Sequence, residues 1–405
     1  MKRVLVFSMA YLPLNVGGAE PAIHEITKRI DPSEIQFDLI TCRYDRRFPR
    51  VEQIGNVTVY RIGLGITAPK PEDLRKFPLH LNKFLFQFLA PWKAIWLHFK
   101  HHYNGVWALM AHSAGVPGAL FKLLHPNVKF ILSLQEGDPI EHVERAMRPV
   151  WPLFTRAFTS ADVIQAISTY LADWARARNA QCPIHVIHNG ADLMDFDDAL
   201  FSSERLVPIC ARIGKQPGDV FLVNTARLVP QKGWDTTIDA LALLPPKVKL
   251  LVVGGGVEEG PLRERVAAQG LSKRVVFTGA VSSDEVAFYR RAADIFVMPS
   301  RTEGLGNAGL SAMASRLPFI GTTVGGMSEY VFGDDSKSSY GKTAWEVAPD
   351  QPAEIAAAVE TILADPAEVQ RVTQNARRLV EERFHWDAVA AAMQAKVFTP
   401  LFTTK

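Results

Sequence analysis

Two successive series of short apolar runs, separated by helix-like segments, constrain the fold of this chain more than any other feature. Short continuous apolar runs are what parallel strands buried on both faces require. Alternating strands and helices place such strands in one sheet with helices on its faces. The sequence therefore predicts an α/β protein with two doubly wound domains, each built on a parallel sheet. The predicted strands are RVLVFSM, QFDLITC, VTVYRIG, GVWALMA, KFILSLQ, DVIQAIS and IHVIHN in the first series, and VFLVNTA, KLLVVGG, RVVFTGA, DIFVMPS and LPFIGTT in the second.

The length of the chain agrees with two domains. Its 405 residues exceed the ~100 to 200 residues of one ordinary domain. We predict a first domain over residues 1–200 and a second over residues 215–386. A polar, irregular stretch near Asp195 to Asp219 is the predicted linker between them.

Composition narrows the functional class. The net charge is only +3, from 45 basic and 42 acidic residues, which disfavours nucleic-acid binding. The three cysteines, Cys42, Cys182 and Cys210, fit neither a disulfide framework nor a metal-binding spacing, so we expect free thiols in a reducing compartment. The apolar N-terminus is short and is interpreted as a first strand, and no apolar run reaches the ~18 residues that span a bilayer. We expect a cytoplasmic protein.

Glycines and cations follow several of the predicted strands, at the sheet edge where open α/β sheets bind ligands. Gly17 and Gly18 would let backbone amides approach a phosphate at the start of a helix, although a plain turn explains them equally well. Arg227 and Lys232 lie five residues apart in a loop that opens a helix, and two such cations suit a diphosphate. The alternative is two solvated surface charges.

The glycine-rich stretch VVGGGVEEG resembles a dinucleotide fingerprint but does not fit it. Counting from Gly254, the position that requires glycine is Glu259. Gly254 and Gly256 are therefore predicted to form a tight turn, either beside a nucleotide or with no ligand.

A glutamate follows the strand DIFVMPS and precedes a glycine pair and a helix of small residues. Glu303 is placed to accept hydrogen bonds from sugar hydroxyls, while the N-terminus of the following helix faces phosphate. We expect that helix to begin near Asn307, with the asparagine side chain as its cap. As a lone residue, Glu303 would more often be a solvated loop carboxylate.

The order of these motifs resembles the family 4 retaining glycosyltransferases with the GT-B fold. The segments are GGAE, HNGADLMDF, ARLVPQKG, LLVVGGG, VVFTGAVSSDEVAFYRRAADIFVMPSRTEGLGNAGLSAMA and TTVGGMSEYV, and they span almost the whole chain. The resemblance implies two Rossmann-like domains facing a central cleft. It also implies transfer of a hexose-type sugar, with retention, from a nucleotide-diphosphate sugar to a hydroxyl of a glycan or glycolipid. No Asp-x-Asp metal motif directly follows a predicted strand, so we expect a metal-independent reaction. Polysaccharide, glycolipid or lipopolysaccharide biosynthesis is the family-level setting.

The resemblance assigns roles to residues at matching positions. Arg227 and Lys232 would hold the diphosphate, and Gly17 and Gly18 would close over the phosphates and the donor sugar. His112, in LMAHSAG, matches a histidine that contacts the transferred sugar, although a lone histidine at a strand end is more often structural. Glu303 would bind donor-sugar hydroxyls. The remaining donor-binding positions are Gly254, Gly256, Gly304, Leu305, Gly306, Asn307 and Ala308.

The sequence departs from the family pattern at its second glutamate, whose position holds Ser311. The family carboxylate accepts hydrogen bonds from the nucleotide ribose, an interaction worth roughly 1.5 to 3 kcal/mol. Ser311 can still make one weaker bond there. Three outcomes stay open: the ribose is held otherwise, with help from Glu329; donor affinity is reduced; or the chain is a specialised branch with a different donor. Two alternatives to an active transferase stay open at this point: a catalytically silent nucleotide-binding or partner protein, and a sugar-nucleotide epimerase.

Two carboxylates follow the strand KFILSLQ. Glu136 and Asp138 are predicted to lie on the acceptor side and contact acceptor hydroxyls. The equally weighted alternative is that they cap the helix that begins near Pro139.

The segment Asp73 to His102 mixes aromatic residues with Arg75 and several lysines. Such a mixture suits peripheral contact with an anionic membrane surface, at the inner face of the membrane. The alternative is an ordinary helix pair with Phe and Trp inward and the lysines outward.

The C-terminal segment, residues 387–405, resembles the family's terminal helix, which crosses back onto the first domain. Trp386 would mark the bend, and the first domain would then be discontinuous.

Overall fold

The structure, a computed structural model, describes residues 1–14, 18–69, 73–74 and 76–403. The chain divides into two compact units. The first contains residues 1–189 and 386–405, and the second contains residues 190–385.

The first unit is built on an eight-stranded sheet with the order β3-β4-β2-β1-β5-β6-β7-β8. All of its strand pairs are parallel except β3 with β4. Its strands are β1 (Lys2–Phe7), β2 (Ile35–Cys42), β3 (Val51–Ile54), β4 (Val57–Ile62), β5 (Gly105–Leu109), β6 (Lys129–Leu134), β7 (Val163–Ala166) and β8 (Ile184–Val186). Its helices are α1 (Ala19–Thr27), α2 (Asn82–His101), α3 (Val116–Leu124), α4 (Ile140–Met147), α5 (Trp151–Thr159) and α6 (Thr169–Ala177).

The second unit is built on a six-stranded parallel sheet with the order β11-β10-β9-β12-β13-β14. Its strands are β9 (Val220–Thr225), β10 (Val248–Val253), β11 (Val275–Gly279), β12 (Ile295–Met298), β13 (Phe319–Gly321) and β14 (Trp345–Glu346). Its helices are α7 (Ser203–Ile213), α8 (Trp234–Leu243), α9 (Glu259–Ala268), α10 (Ser283–Ala292), α11 (Asn307–Ala314), α12 (Pro352–Ala364) and α13 (Pro366–Arg383). The predicted α/β class, with two doubly wound parallel-sheet domains, is confirmed.

The last helices return to the first unit. They are α14 (Trp386–Met393) and α15 (Thr399–Thr403). Between them, the Phe398 ring packs 5.8 Å from Phe37 and 5.6 Å from Trp107, measured between ring centroids. An ion pair of 2.6 Å joins Arg29, just after the end of α1, to Asp387 on α14. The C-terminal segment is therefore part of the core of the first unit.

The predicted linker is partly regular structure. Helix α7 lies within the predicted linker. The first residues of the linker belong to the second unit, because the turn Leu193–Phe196 packs against α10 and α11. The chain therefore divides after Asn189, earlier than the predicted boundary at residue 200. Sequence pattern misses this because the stretch is polar and its partners lie about a hundred residues further along.

Two further observations concern membrane-spanning helices and the cysteines. Within the described ranges, no helix combines the length and the apolar character needed to cross a membrane. The three cysteines are unpaired thiols, and burial raises the pKa of the Cys42 thiol to about 12.

Candidate active site

In the second unit, loops from neighbouring strands meet at the carboxyl edge of the sheet. The loop after β9 is tied to the loop after β10 by a hydrogen bond from Leu228 N to Gly255 O at 3.0 Å. It is tied to the loop after β12 by Arg301 N, which donates to Gln231 O at 2.8 Å. The loop after β13 joins them through Gly326 N, which donates to Glu303 O at 3.2 Å. Three predicted donor-binding loops, and the loop after β13 that carries Glu329, therefore form one surface.

A lysine–glutamate pair lies at the centre of this surface. Lys232 Nζ donates to Glu303 Oε1 at 2.5 Å, and the two side chains are 12% and 5% exposed. Ser300 Oγ donates to the same carboxylate oxygen at 3.0 Å. Lys232 is therefore not a solvated surface charge, and Glu303 is not a solvated loop carboxylate, as the alternatives in the sequence analysis describe them. A buried charge is stable only with a partner of opposite charge, so each of the two residues stabilises the charge of the other.

Arg227 lies in the same loop as Lys232 but reaches solvent. Its backbone carbonyl accepts a hydrogen bond from the indole of Trp234 at 3.1 Å, and Trp234 is buried at the start of α8. The loop is thereby fixed to the core while the Arg227 side chain is exposed. Arg227 is therefore an exposed residue of the loop whose other predicted cation, Lys232, is largely buried.

The glycines after β10 are required by close packing between loops. Gly254 has φ +143°, and a Cβ there would lie 2.1 Å from Ala226 O. A Cβ on Gly256 would lie 2.2 Å from Leu228 O. Any side chain at either position would push the β10 loop away from the loop of Arg227 and Lys232.

Helix α11 begins differently from the prediction. Gly306, with φ +87°, occupies the cap position, and Asn307 is already the first helical residue. The Tyr330 hydroxyl donates to Gly306 O at 2.9 Å and would lie 2.6 Å from a Cβ on Gly306. Among described residues no side chain caps the helix, so the prediction that Asn307 is the cap is wrong. The first amides of α11 keep their donor capacity for an anion.

The residues around this turn differ in exposure. Gly304 and Leu305 are buried, with Leu305 1% exposed, while Asn307 and Ala308 are half-buried. Burial, and then the Glu303 carboxylate, raise the pKa of the Tyr330 phenol well above its ordinary value. Tyr330 is therefore a protonated donor that holds the Gly306 turn.

Ser311 has a partner within the second unit. Its Oγ accepts a hydrogen bond from the backbone N of Asp192 at 3.0 Å, and the side chain is buried. The Ser311 hydroxyl therefore already makes one structural contact, which uses one of its two acceptor lone pairs. Glu329, the predicted substitute for the missing carboxylate, is half-buried in the turn Gly325–Glu329.

The Ser311→Ala variant distinguishes these two roles. Loss of the acceptor for Asp192 N–H is expected to lower the free energy of unfolding by about 1 to 2 kcal/mol, with nucleotide affinity unchanged. Urea unfolding and nucleotide titration measure the two effects, with exposed Ser272→Ala as the matched control. Weaker nucleotide binding at unchanged stability would instead identify Ser311 as a ribose ligand.

A buried ionic network anchors the segment that carries Asp192, and sequence reasoning missed it. Asp195 is fully buried and accepts hydrogen bonds from Arg290 Nε at 3.1 Å and Arg290 Nη2 at 2.5 Å. Ser315 Oγ donates to the same carboxylate at 2.6 Å, and Arg377 Nη1 donates to Asp195 O at 3.1 Å. No local pattern predicts this network, because its members are far apart in the chain.

In the first unit, the predicted glycine loop is described only in part. Gly17 lies outside the described residues. Gly18 is exposed and occupies the cap position of α1, with φ −86°. The predicted role of both glycines in closing over the donor stays a prediction.

The loop after β5 carries His112 in an unusual backbone conformation. Met110 has φ +67° and ψ +128°, a region that a residue with a Cβ rarely adopts. Gly115 N then donates to Met110 O at 3.1 Å, which makes residues Ala111–Gly115 a π-helical turn. Such turns are frequent at functional sites. The His112 side chain is 33% exposed.

Glu136, from the loop after β6, holds this turn. Its Oε1 accepts from Ala111 N at 2.6 Å and lies 3.3 Å from His112 Nδ1, while Oε2 accepts from Gln135 N at 3.0 Å. The Glu136 side chain is 0% exposed, so this geometry favours a positioning role over the predicted contact with acceptor hydroxyls.

Asp138 remains a candidate for the acceptor side. It is half-buried in the same loop. Helix α4 starts at Ile140, and Pro139 at its cap position makes no side-chain hydrogen bond. Both carboxylate oxygens of Glu136 already accept backbone N–H bonds, which disfavours a capping role for Glu136. For Asp138, the acceptor-side role and the capping role both stay predictions.

No group of three or more His, Cys, Asp or Glu side chains in the described part of the chain is arranged to hold a metal ion. The expected independence from metal stays a prediction.

Family models match the two halves of the chain that carry these loops. The model described as glycosyl transferases group 1 matches residues 209–379, which include Lys232 and Glu303. The model described as glycosyltransferase family 4 matches residues 16–195, which include His112 and Glu136. The chain is a GT-B glycosyltransferase of group 1. As such, it is an enzyme that transfers a sugar from a nucleotide sugar, and the predicted class is confirmed over the two alternatives.

Individual proteins resemble this glycosyltransferase over large parts of their length. The 2-deoxystreptamine glucosyltransferase of Streptomyces kanamyceticus is 29% identical over 296 residues, which cover 70% of this chain and 72% of that protein. A GDP-mannose-dependent α-(1-6)-phosphatidylinositol monomannoside mannosyltransferase of Mycobacterium tuberculosis is 34% identical over 192 residues, 45% of this chain and 47% of that protein. The Anabaena protein HepE, solved with UDP-glucose, has a TM-score of 0.76 at 20% identity, covering 98% of this chain and 100% of that chain.

Proposed function

We propose that this glycosyltransferase moves a hexose-type sugar from a nucleotide-diphosphate sugar to a hydroxyl of a glycan or glycolipid, with retention of configuration and without a metal ion. The observation that carries the proposal is the buried pair of Lys232 and Glu303 beside the open N-terminus of α11. Cations and a carboxylate at one point suit a ligand that carries a diphosphate next to sugar hydroxyls.

The pair suggests how donor binding would begin. Lys232 carries three N–H donors, and one of them is engaged by Glu303. A bound diphosphate would attract the ammonium together with the exposed guanidinium of Arg227. Glu303 would then accept hydrogen bonds from hydroxyls of the donor sugar, so the donor would replace part of an interaction that already exists.

Bond cleavage leaves negative charge on the diphosphate, and the site supplies positive charge where it develops. In the proposed step, the bond between the anomeric carbon and the diphosphate oxygen breaks while the acceptor oxygen bonds to the same carbon on the same face. The acceptor proton passes to a diphosphate oxygen. Arg227, Lys232 and the first amides of α11 would stabilise the leaving group, which is the task a metal ion performs in other transferases.

His112 would contact the transferred sugar from the first unit. The turn after Met110 and the contact of Glu136 with Ala111 N hold the backbone that carries it, and Glu136 Oε1 lies 3.3 Å from its Nδ1. A side chain held in one orientation costs little entropy when substrate binds. This rigidity supports a role in placing the sugar.

The nucleotide is identified by a thermal-shift screen against UDP, GDP, ADP and their common sugar conjugates. A ligand at a hundred times its Kd stabilises the folded state by about 2.7 kcal/mol. One nucleotide is expected to raise Tm, and Arg227→Ala is expected to abolish that shift without lowering the Tm of the free protein.

The exposed Arg371→Ala on α13 is the matched control, since its side chain is 60% exposed and lies outside the described site. It should keep the full shift. No shift with any nucleotide, in a folded protein, would contradict the proposal.

A further inference from the structure

The outer face of α2 carries a row of exposed aromatic side chains. This aromatic ridge is defined by five residues with exposures of 51 to 76%: Phe84, Phe88, Trp92, Trp96 and Phe99. The first four follow one another at intervals of four residues, so they share one face of the helix. The rings of Phe84 and Phe88 are 5.1 Å apart. Together they form a continuous apolar surface.

The ridge is not needed to bury α2 in its own unit. The opposite face of the helix makes that contact, through Phe86, Ala90, Ala94 and Leu97, each at most 1% exposed. The alternative in which Phe and Trp face inward is therefore correct for Phe86, which is buried, and wrong for the aromatic ridge, which is exposed. Large contiguous apolar patches on a folded protein mark interaction sites.

The charge around the ridge has one sign. Residues 74–135 contain none of the 42 acidic residues of the chain and seven of its 45 basic residues. Lys83 and Lys100 are exposed near the two ends of α2. Lys93 Nζ lies 4.0 Å from the centre of the Trp96 ring. An aromatic face bordered by lysines is complementary to an anionic surface.

We propose that the aromatic ridge docks on the surface of an anionic lipid bilayer. A helix of 20 residues extends about 30 Å, and its outward Trp and Phe rings would enter the boundary between headgroups and acyl chains. Tryptophan prefers this depth because its ring is apolar and its N–H needs a polar partner. Lys83, Lys93 and Lys100 would meet lipid phosphates.

The same charges argue against a second copy of the chain as the partner. A two-fold symmetric contact through the ridge would bring the same surface of both copies together. Lysines of one copy would then face lysines of the other in a segment without carboxylates, which is unfavourable. A lipid surface removes this conflict because it supplies the negative charge.

The position of α2 connects docking to the candidate site of the first unit. Gln87 Nε2, on the first half of α2, donates to Ser113 O at 3.0 Å. Ser113 belongs to the π-helical turn that carries His112. Docking of the ridge would therefore hold this turn close to the lipid surface.

Co-sedimentation of the full chain with vesicles tests the proposal. Wild-type protein is expected to pellet with phosphatidylcholine vesicles that contain phosphatidylglycerol and to stay in solution with pure phosphatidylcholine. Trp92→Ser combined with Trp96→Ser should weaken the partition by about tenfold or more. Val207→Ser combined with Leu243→Ser is the matched control, because these side chains are 62% and 59% exposed on the second unit.

Lysine variants test the charge contribution separately. Lys83→Gln with Lys100→Gln should weaken the partition about thirtyfold, on the basis of ~1 kcal/mol per lysine near the surface. Added salt should reduce the difference between wild type and this variant. Lys273→Gln with Lys337→Gln is the control pair, because both lysines are exposed in the second unit. All variants should keep the Tm of the wild type.

Three results would overturn the proposal. They are absence of pelleting with anionic vesicles, equal pelleting of wild type and the tryptophan variant, and a dimer in sedimentation velocity that the tryptophan variant abolishes while vesicle binding is absent. The last result would assign the ridge to a second copy. None of them bears on the nucleotide screen, so transferase activity and membrane docking can fail independently.

Discussion

Lys232→Ala is expected to lower kcat/KM for sugar transfer by about a thousandfold, the upper range for removing one group that stabilises developing negative charge. Lys232 Nζ bonds Glu303 Oε1 at 2.5 Å in a buried site, so the substitution removes a cation for the diphosphate and also leaves a carboxylate unpaired. An unpaired buried charge destabilises a fold by about 3 to 5 kcal/mol. Transfer assays and urea unfolding measure the two effects.

The double variant Lys232→Ala with Glu303→Ala separates catalysis from folding. Removing both charges restores much of the free energy of unfolding, because neither residue is left as an uncompensated buried ion. Activity should stay at the level of the single variants, since both donor contacts are absent. Exposed Lys247→Ala is the control for loss of one positive charge. If the double variant recovered both activity and stability, Lys232 and Glu303 would contribute to folding and not to sugar transfer.

The fold could be predicted because its signal is local. Strands buried on both faces appear as short apolar runs, and apolar runs in the sequence predict twelve of the fourteen strands in the part of the chain that the structure describes. The two that were missed lie at sheet edges. Val51–Ile54 alternates between half-buried and exposed residues, and Trp345–Glu346 has only two residues. Edge position alone does not explain this, because the edge strands β8 and β11 are predicted. Strands β3 and β14 are missed because neither contains a run of apolar residues.

The site could be predicted only to the level of residue type and loop. The positions of Lys232 and Glu303 after strands β9 and β12 placed them at one sheet edge, but their direct contact spans 71 residues. The same holds for Asp195 and Arg290, which are 95 residues apart. Local sequence does not encode such pairs, because they depend on which loops the strand order brings together.

Helix α11 illustrates a different kind of error. Asparagine is a favoured cap, and this preference placed Asn307 at the start of the helix. Gly306 takes the cap position instead, because close packing against Tyr330 leaves no space for a Cβ and its φ of +87° favours glycine. Tertiary packing therefore shifted the start of the helix by one residue.

The aromatic ridge shows where periodicity is insufficient. Both faces of α2 are apolar, so the sequence contains two candidate stripes and no local reason to bury one of them. The structure buries the face with the smaller residues Ala90 and Ala94, which lets the helix approach the sheet closely. The larger aromatic rings are consequently exposed to solvent. The alternative of an ordinary helix pair places only the lysines on that exposed face.

Glu136→Gln is expected to lower kcat by about tenfold to a hundredfold, the range seen when a group that orients a functional side chain is replaced. Both carboxylate oxygens of Glu136 accept backbone N–H bonds, from Ala111 and Gln135. A glutamine keeps the shape but has one carbonyl oxygen, so its NH₂ group would face one of these donors. The turn around His112 would then relax.

Nucleotide affinity should stay unchanged in Glu136→Gln, because Glu136 is not one of the predicted nucleotide contacts, most of which belong to the second unit. A fall in kcat with an unchanged nucleotide Kd therefore separates a positioning role from general loss of the fold, which urea unfolding monitors directly. Glu141→Gln is the matched control, since Glu141 is exposed on α4.

Combining Glu136→Gln with His112→Ala identifies the residue through which Glu136 acts. If Glu136 works by orienting His112, the double variant should be no slower than His112→Ala alone, because there is no longer a ring to orient. Multiplicative losses in the double variant would show instead that Glu136 acts through another part of the turn, and the 3.3 Å approach to His112 Nδ1 would then carry no catalytic role.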